Sequence, residues 1–170
     1  MLRPNQKTGI LIDAENVETS AAKVYKAKLN YKTIVERLKD RKLVKCLYYK
    51  PEYLSITKET EDYIVKIGGE IKQPQKNVDL YLAVDAVTLA DKLDVYILVG
   101  GDKDYAPLVW YLKSKGCTVE IWAFPDSTAN ELIEVADNYV PLDESFLISE
   151  NKKLDINKPR KPFRRKNIRN

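Results

Sequence analysis

The sequence predicts an α/β fold, a three-layer α/β/α sandwich with a central, mostly parallel sheet. Two observations predict it. Apolar runs of strand length alternate with helical patterns along the first 150 residues, which is typical of parallel βαβ units. Two of these runs, residues 9–12 and 95–99, are apolar throughout, as strands covered on both faces are. We therefore expect one domain over residues 1–150.

Most of the predicted strands are apolar runs, and a glycine, a proline or an acidic residue lies at or just beyond the end of each. The strands are expected at residues 9–12, 43–49, 70–73, 95–99 and 117–124, with a short edge segment within 140–148. The central unit is the stretch from Val95 to Leu108, where an apolar strand meets Gly100-Gly101 and a helix pattern follows.

Apolar residues spaced three and four apart predict the helices between these strands. The patterns cover residues 31–38, 56–67, 78–93 and 105–115. Thr19 or Ser20 is expected to cap a short helix that runs to residue 28, and Ser127 or Thr128 one that runs to residue 139. The longest helix is expected to bury an apolar stripe made of Leu80, Ala83, Val84, Val87 and Ala90.

Composition limits the chemistry. The 170 residues contain no histidine, which excludes Ser-His and Cys-His nucleophiles and histidine metal ligands. The two cysteines lie in separate apolar runs and are expected to be reduced core residues of a cytoplasmic protein. We expect no secretory signal and no membrane partner, because no stretch approaches the ~20 apolar residues of a membrane span.

Charge divides the chain in two. Residues 1–150 carry a net charge of −4, whereas residues 151–170 carry +8. We call this second segment the basic tail and expect it to be disordered. It is expected to neutralise phosphates of a nucleic acid, with the aromatic residue stacking on a base, through Lys158, Arg160, Lys161, Phe163, Arg164, Arg165 and Lys166. A solubilising tail without a specific partner is the alternative.

Acidic residues follow the two apolar strands. Asp13 ends the first run, and Asp102 and Asp104 follow the glycines after residues 95–99. In an open parallel sheet these positions border the crevice where ligands bind. Asp79, in the first turn of the long helix, is the best fourth acid, and Asp85, six residues later, is the weaker one.

Clustered carboxylates repel one another, and a cation relieves that repulsion. Without histidine or paired cysteines, the oxygen ligands favour Mg²⁺ or Mn²⁺, either of which activates water for attack on a phosphoryl group. Each acid also has a purely structural interpretation. Asp104 could cap a helix, Asp102 and Asp13 could close turns, and Asp79 could complement a helix dipole.

Five segments of the chain resemble the LabA-like branch of the NYN domains, within the PIN-like nuclease superfamily. They are ILIDAEN, KNVDLYLAVDA, LVGGDKDYAPLV, KGCTVEIWAF and STANELIEVADNYVPL. The resemblance covers residues 7–143. It implies a PIN-like fold and a metal site made of Asp13, Asp79, Asp102 and Asp104. It also implies accessory roles for Asn16 beside the first acid and for Lys76 as a phosphate contact, with Asp85 as an alternative or accessory acid.

The leading hypothesis is a divalent-metal-dependent ribonuclease acting on single-stranded RNA, with the tail holding the RNA near the crevice. The alternative is a non-catalytic RNA-binding or regulatory module that retains the fold. A third hypothesis is another magnesium-dependent phosphate enzyme, Toprim-like or phosphatase-like, against which the sequence lacks a DxDx[TV] motif at Asp13. A homodimer is left open.

Overall fold

The computed structural model describes residues 5–148. Its centre is a six-stranded sheet in the order β4-β3-β1-β5-β6-β7, and every neighbouring pair is parallel. The strands are β1 (Lys7–Asp13), β3 (Lys42–Tyr49), β4 (Glu70–Lys72), β5 (Val95–Val99), β6 (Thr118–Ala123) and β7 (Asn138–Pro141). A separate antiparallel pair joins β2 (Lys28–Leu29) and β8 (Leu147–Ile148). The predicted α/β class is confirmed.

Helices cover both faces of this sheet. They are α1 (Ala14–Ser20), α2 (Tyr31–Glu36), α3 (Lys58–Lys66), α4 (Val78–Thr88), α5 (Ala106–Ser114) and α6 (Asn130–Val135). The first three pack on one face and the last three on the other. Leu11 therefore faces α4 and α5, whereas its neighbours Ile10 and Ile12 face α1 and α2, and all three side chains are fully buried.

Two predicted helix starts are wrong. Helix α1 begins at Ala14, because the carboxylate of Asp13 at the end of β1 accepts the hydrogen bond that caps it. Ser20 lies inside the helix, and a π-helical turn, Ala21–Tyr25, continues it. Helix α6 begins at Asn130 and ends at Val135, well before residue 139, because the chain there joins the sheet as β7.

The predicted apolar stripe of α4 is wrong for three of its five residues. Leu80, Val84 and Val87 are 57%, 57% and 41% exposed, and the helix ends earlier than expected, at Thr88. The core side is formed by Val78, Leu82 and Ala86, together with Ala90 beyond the helix end and the partly buried Ala83. Both sides of α4 are apolar, so residue spacing alone does not identify the buried one.

Both cysteines are free and buried, as the sequence predicted. Within residues 5–148, no helix has the length and apolar character needed to cross a membrane. The basic tail at residues 151–170 lies outside the described residues, as do the last two residues of the predicted domain.

Candidate active site

The first of the acids at the carboxyl edge of the sheet is Asp13. Asp13 is the last residue of β1 and is only 8% exposed. The neighbouring strand β5 ends at Val99, and two glycines lead from it to Asp102. Because β1 and β5 are parallel, their carboxyl ends meet at the same edge, as the sequence predicted.

The carboxylate of Asp13 is held from two sides. Its Oδ1 atom accepts a hydrogen bond from the backbone N–H of Asn16, at 3.1 Å, and its Oδ2 atom accepts one from the hydroxyl of Tyr105, at 2.6 Å. Burial raises the pKa of Asp13, and these two hydrogen bonds oppose that shift. The negative charges of Glu15 and Asp102 raise the pKa further, so negative charge accumulates around a buried carboxylate.

Asn16 joins the two strand ends. Its side-chain oxygen accepts a 2.9 Å hydrogen bond from the backbone N–H of Gly101, 85 residues later in the chain. Gly101 has no room for a side chain, because a Cβ atom there would lie 2.7 Å from the backbone oxygen of Ser127. Asn16 and the glycine turn therefore keep Asp13 and the loop carrying Asp102 together.

Asp102 and Asp104 lie in the loop between β5 and α5, and both are exposed. The carboxylate of Asp102 accepts a hydrogen bond from the backbone N–H of Asp104, at 3.0 Å, and so caps the 3₁₀ turn Lys103–Tyr105. Asp102 is thus the turn residue that its structural interpretation predicted. Asp104 does not cap α5, which begins after Tyr105 without a side-chain hydrogen bond.

Asp79 is exposed in the first turn of α4. The negative charges of Asp13, Asp79 and Asp102 all act on the hydroxyl of Tyr105. They add to its burial, the largest cause, and raise the pKa of Tyr105 far above its ordinary value. Tyr105 thus contacts Asp13 directly and is influenced by the charges of Asp79 and Asp102.

Asp85 belongs to a different group of side chains. Its Oδ2 atom accepts hydrogen bonds from the hydroxyl of Tyr49 and from the ammonium of Lys72, both at 2.6 Å. These contacts join α4 to β3 and β4. The ammonium of Lys76 is exposed and makes no hydrogen bond or ion pair with any residue of the described part.

The donor chemistry of the crevice suits a hard cation, although residues 5–148 contain no preassembled group of three or more acidic or cysteine ligands. Each carboxylate oxygen of Asp13 accepts one hydrogen bond and retains a further lone pair. Asp79 and Asp102 add exposed oxygens. Mg²⁺ in proteins is commonly held by one or two carboxylates, with water and substrate phosphate completing the shell.

Two features of this region were not predicted from the sequence. One is Tyr105, whose only signal was its position three residues after Asp102. The other is Glu18, which accepts hydrogen bonds from the hydroxyls of Tyr31 and Tyr48 and pairs with the ammonium of Lys50 at 2.5 Å. Its partners are 13, 30 and 32 residues away, which is beyond any local pattern.

Comparisons with known proteins agree with this architecture. A protein of unknown function from Vibrio parahaemolyticus has a similar structure, with a TM-score of 0.75 and 23% identity, over 87% of this chain and 99% of that one. A Clostridium difficile dehydrogenase matches with a TM-score of 0.42 and 17% identity, over 77% of this chain and 34% of its own, too distant to inform the fold. No curated protein sequence matches.

The family model of the NYN domain matches residues 7–143, which include every strand of the central sheet and all four predicted acids. NYN domains are part of the PIN-like nuclease superfamily, which suggests a nuclease-like, RNA-related function. The chain belongs to the NYN domain family.

Proposed function

We propose that this NYN domain, of the LabA-like branch, is a divalent-metal-dependent ribonuclease that hydrolyses phosphodiesters of single-stranded RNA. Its site comprises Asp13, Asp79, Asp102 and Asp104. The observation that carries the proposal is the buried carboxylate of Asp13, whose pKa is raised by burial and by neighbouring acids. A charged carboxylate that is buried beside other acids destabilises the folded protein. A cation bound at this edge of the sheet would neutralise that charge and remove the destabilisation.

Asp13, Asp79 and Asp102 would hold Mg²⁺ or Mn²⁺, with Asp104 at the exposed side. When bound, the cation supplies an activated water and neutralises charge on the phosphoryl oxygen. The chain's own residues prepare the site. Tyr105 keeps Asp13 oriented and favours its ionised form by donating a hydrogen bond to it.

Asn16 positions the two strand ends, because it accepts a hydrogen bond from Gly101 and donates its backbone N–H to Asp13. Lys76, in the loop before α4, would meet a phosphate of the RNA. Asp85 supports the site indirectly, because its bonds to Tyr49 and Lys72 anchor the helix that carries Asp79.

The basic tail would bind RNA through phosphate neutralisation, with Phe163 stacking on a base. It lies outside the described residues, so this role rests on the sequence. The cytoplasmic location likewise stays a prediction. Replacing Arg164, Arg165 and Lys166 by Gln is expected to weaken RNA binding and to reduce its dependence on salt, measured by fluorescence anisotropy.

The direct test is cleavage of a labelled single-stranded RNA by the full chain with Mg²⁺, with Mn²⁺ or with EDTA. Asp102→Asn is expected to reduce metal-dependent cleavage by about 100-fold or more. Mutation of a residue that only hydrogen-bonds to a metal ligand already reduces metal affinity or activity by about 10- to 100-fold, and Asp102 is proposed to be a ligand itself. Asp91→Asn is the matched control, because Asp91 is exposed near the amino ends of the strands.

Cleavage by Asp102→Asn at the wild-type rate would contradict the proposal. Metal-independent RNA binding without any cleavage would instead support the non-catalytic module. In that case the tail substitutions should remove most of the binding, whereas Asp102→Asn should leave it unchanged.

A further inference from the structure

The outward side of α4 is as apolar as its core side. Leu80, Val84 and Val87 recur at intervals of four and three residues, so they lie on one face of the helix, and each is 41–57% exposed. A helix in water normally covers its outer face with polar side chains, and one that is apolar all round is normally buried. The outward side of α4 is therefore exposed to solvent, although its side chains are of the kind that is normally buried.

Helix α5 extends this surface. It packs beside α4 on the same side of the sheet, with Trp110 62% exposed and Tyr111 37% exposed. We define the apolar face as Leu80, Tyr81, Val84, Val87, Trp110 and Tyr111. With full areas near 250 Å² for an aromatic side chain and 160 Å² for an aliphatic one, its exposed area is roughly 600 Å². This area is at the upper end of the range found for the largest apolar patch of a monomer, and such patches are often functional.

A second copy of the chain fits this face. A standard interface buries about 800 Å² on each partner, so the apolar face supplies about three-quarters of one side. None of its six side chains is charged, and Asp85 on the same helix is already paired with Lys72. The six side chains themselves therefore place no like charges opposite one another in a two-fold interface, and the charges nearest to them, Asp79 and the ammonium of Lys115 over the ring of Tyr111, lie at its border. We propose that the apolar face is a homodimer interface.

The test is the mass of the full chain by light scattering and sedimentation across the micromolar range. The wild type is expected at twice 19.6 kDa. Val84→Glu and Trp110→Glu are expected to shift the protein to the monomer, because each buries an unpaired charge in the interface. Val65→Glu is the matched control, because Val65 is 62% exposed on α3, outside the apolar face.

A wild-type protein that is monomeric throughout this range would overturn the proposal. So would a dimer that both glutamate variants leave intact. A nitroxide at Val87→Cys provides a second measurement that does not depend on disrupting the interface. The proposal requires a short spin–spin distance between copies, and its absence in the dimer would place the contact elsewhere.

A different observation carries a second inference. A cavity of about 710 Å³, within the size range of small-molecule sites, lies between α2, α3 and the short strand β2. We call it the lysine cavity, after the three lysines among its lining residues. Its lining residues include Lys28, Lys32, Lys50, Tyr31, Tyr63 and Thr57.

The charge of the lysine cavity favours an anion. Lys50 is only 8% exposed and pairs with Glu18, whose carboxylate also accepts hydrogen bonds from two tyrosine hydroxyls. Lys28 and Lys32 are exposed at the rim, and among residues 5–148 the only other lining acid is Glu59. Three lysines therefore face two lining carboxylates. Glu18 neutralises Lys50, whereas Lys32 makes only an exposed pair with Glu36 at 3.7 Å, which a phosphate could replace. Tyr63, half-buried in the wall, adds an aromatic ring.

The lysine cavity adjoins the candidate active site. Tyr49, which precedes Lys50, is the register partner of Asp13. In the following loop, the hydroxyl of Tyr53 donates a hydrogen bond to Glu15, next to Asp13, and Thr57 lines the cavity. One loop thus borders both sites.

We infer that the lysine cavity binds a nucleotide, with the base against Tyr63 and the phosphate near Lys28 and Lys32. This inference rests on the proposed ribonuclease function where the nucleotide is a unit of the substrate RNA. A free mononucleotide has the same chemistry and would occupy the same cavity.

The experiment measures binding of AMP, CMP, GMP and UMP, and of a short single-stranded RNA, to the full chain in EDTA, where cleavage plays no part. Tyr63→Leu is expected to weaken mononucleotide binding about fivefold or more, because stacking on one base contributes ~1–3 kcal/mol. Lys32→Gln is expected to weaken it as well. Lys39→Gln, exposed and outside the cavity, is the control.

A parallel loss of RNA affinity identifies the ligand as a unit of the RNA, and a loss confined to mononucleotides identifies a free nucleotide. Absence of saturable mononucleotide binding, or affinities unchanged in both variants, would overturn the inference. Because no cleavage is measured, such a failure is separate from failure of the ribonuclease proposal.

Discussion

The hydroxyl of Tyr105 donates a 2.6 Å hydrogen bond to the Oδ2 atom of Asp13, 92 residues earlier in the chain. Both groups are buried, and the bond joins the end of β1 to the start of α5. Tyr105 is thus a positioning residue for the first predicted metal ligand.

Tyr105→Phe should destabilise the protein by about 1.5–3 kcal/mol, because a buried carboxylate loses a donor. It should also reduce metal-dependent cleavage, because Asp13 loses its fixed orientation. Chemical denaturation and the RNA cleavage assay measure the two effects. Tyr111→Phe is the control, because the hydroxyl of Tyr111 makes no hydrogen bond within residues 5–148. Equal effects of both changes would contradict the assigned role.

Asp13→Asn should stabilise the metal-free protein at neutral pH. The folded-state pKa of Asp13 is raised above its ordinary value of 3.8, so the charged carboxylate destabilises the folded state above that raised pKa. As pH falls through the raised pKa towards 3.8, the folded state takes up the proton and the cost disappears. The stability difference between variant and wild type should therefore shrink over this window, measured by denaturation in EDTA.

Added Mg²⁺ should reverse the order of these two proteins. A cation that binds only the folded wild type stabilises it, whereas the variant lacks a ligand. Thermal unfolding with increasing Mg²⁺ provides the measurement. Asp91→Asn should respond as the wild type does. An identical Mg²⁺ response in Asp13→Asn would argue against a role for Asp13 in binding the metal.

Asp79→Asn and Asp85→Asn should have opposite effects, although the two acids lie on the same helix. Asp79 is exposed, so Asp79→Asn should remove cleavage and leave stability unchanged. Asp85→Asn weakens the interactions with Lys72 and buried Tyr49, and should lower stability by about 1–3 kcal/mol. It should retain most of the cleavage per folded molecule. Loss of cleavage only in Asp85→Asn would identify Asp85 as the fourth acid.

Gly101→Ala should be more destabilising than Gly100→Ala. A Cβ atom at Gly101 would meet backbone atoms of residues 127 and 128 at 2.7–2.9 Å, whereas the nearest atom to one at Gly100 is 3.3 Å away. Overpacking of this kind costs ~1–3 kcal/mol. It should also displace the hydrogen bond from Gly101 to Asn16 and reduce cleavage. Equal stability of both alanine variants would contradict this account of the turn.

Both thiols should resist modification in the folded protein. Burial raises the pKa of Cys46 to about 12 and also raises that of Cys117. At pH 8 neither forms the reactive thiolate to a useful extent. A disulfide reagent should react with two thiols per chain in guanidinium and with almost none in buffer. Rapid reaction in buffer would show that one of these core positions is open.

The sequence alone predicts the α/β class and the edge of the sheet at which Asp13 and Asp102 lie. Strand patterns are local, and an acid that follows an apolar run must lie at the carboxyl end of that strand wherever it sits in the sheet. Asp13 and Asp102 were therefore assigned to one edge before any contact was known, and parallel pairing of β1 and β5 brings them there.

Tertiary structure decided which of the local alternatives holds. It identified the core side of α4, which periodicity misassigned because both sides are apolar. It paired Asp85 with Lys72, and it brought Tyr105 to Asp13 and Asn16 to Gly101. These contacts join residues 13 to 92 positions apart, and they depend on strand order and register. Spacing along one helix or strand carries no information about either, so only the assembled sheet determines them.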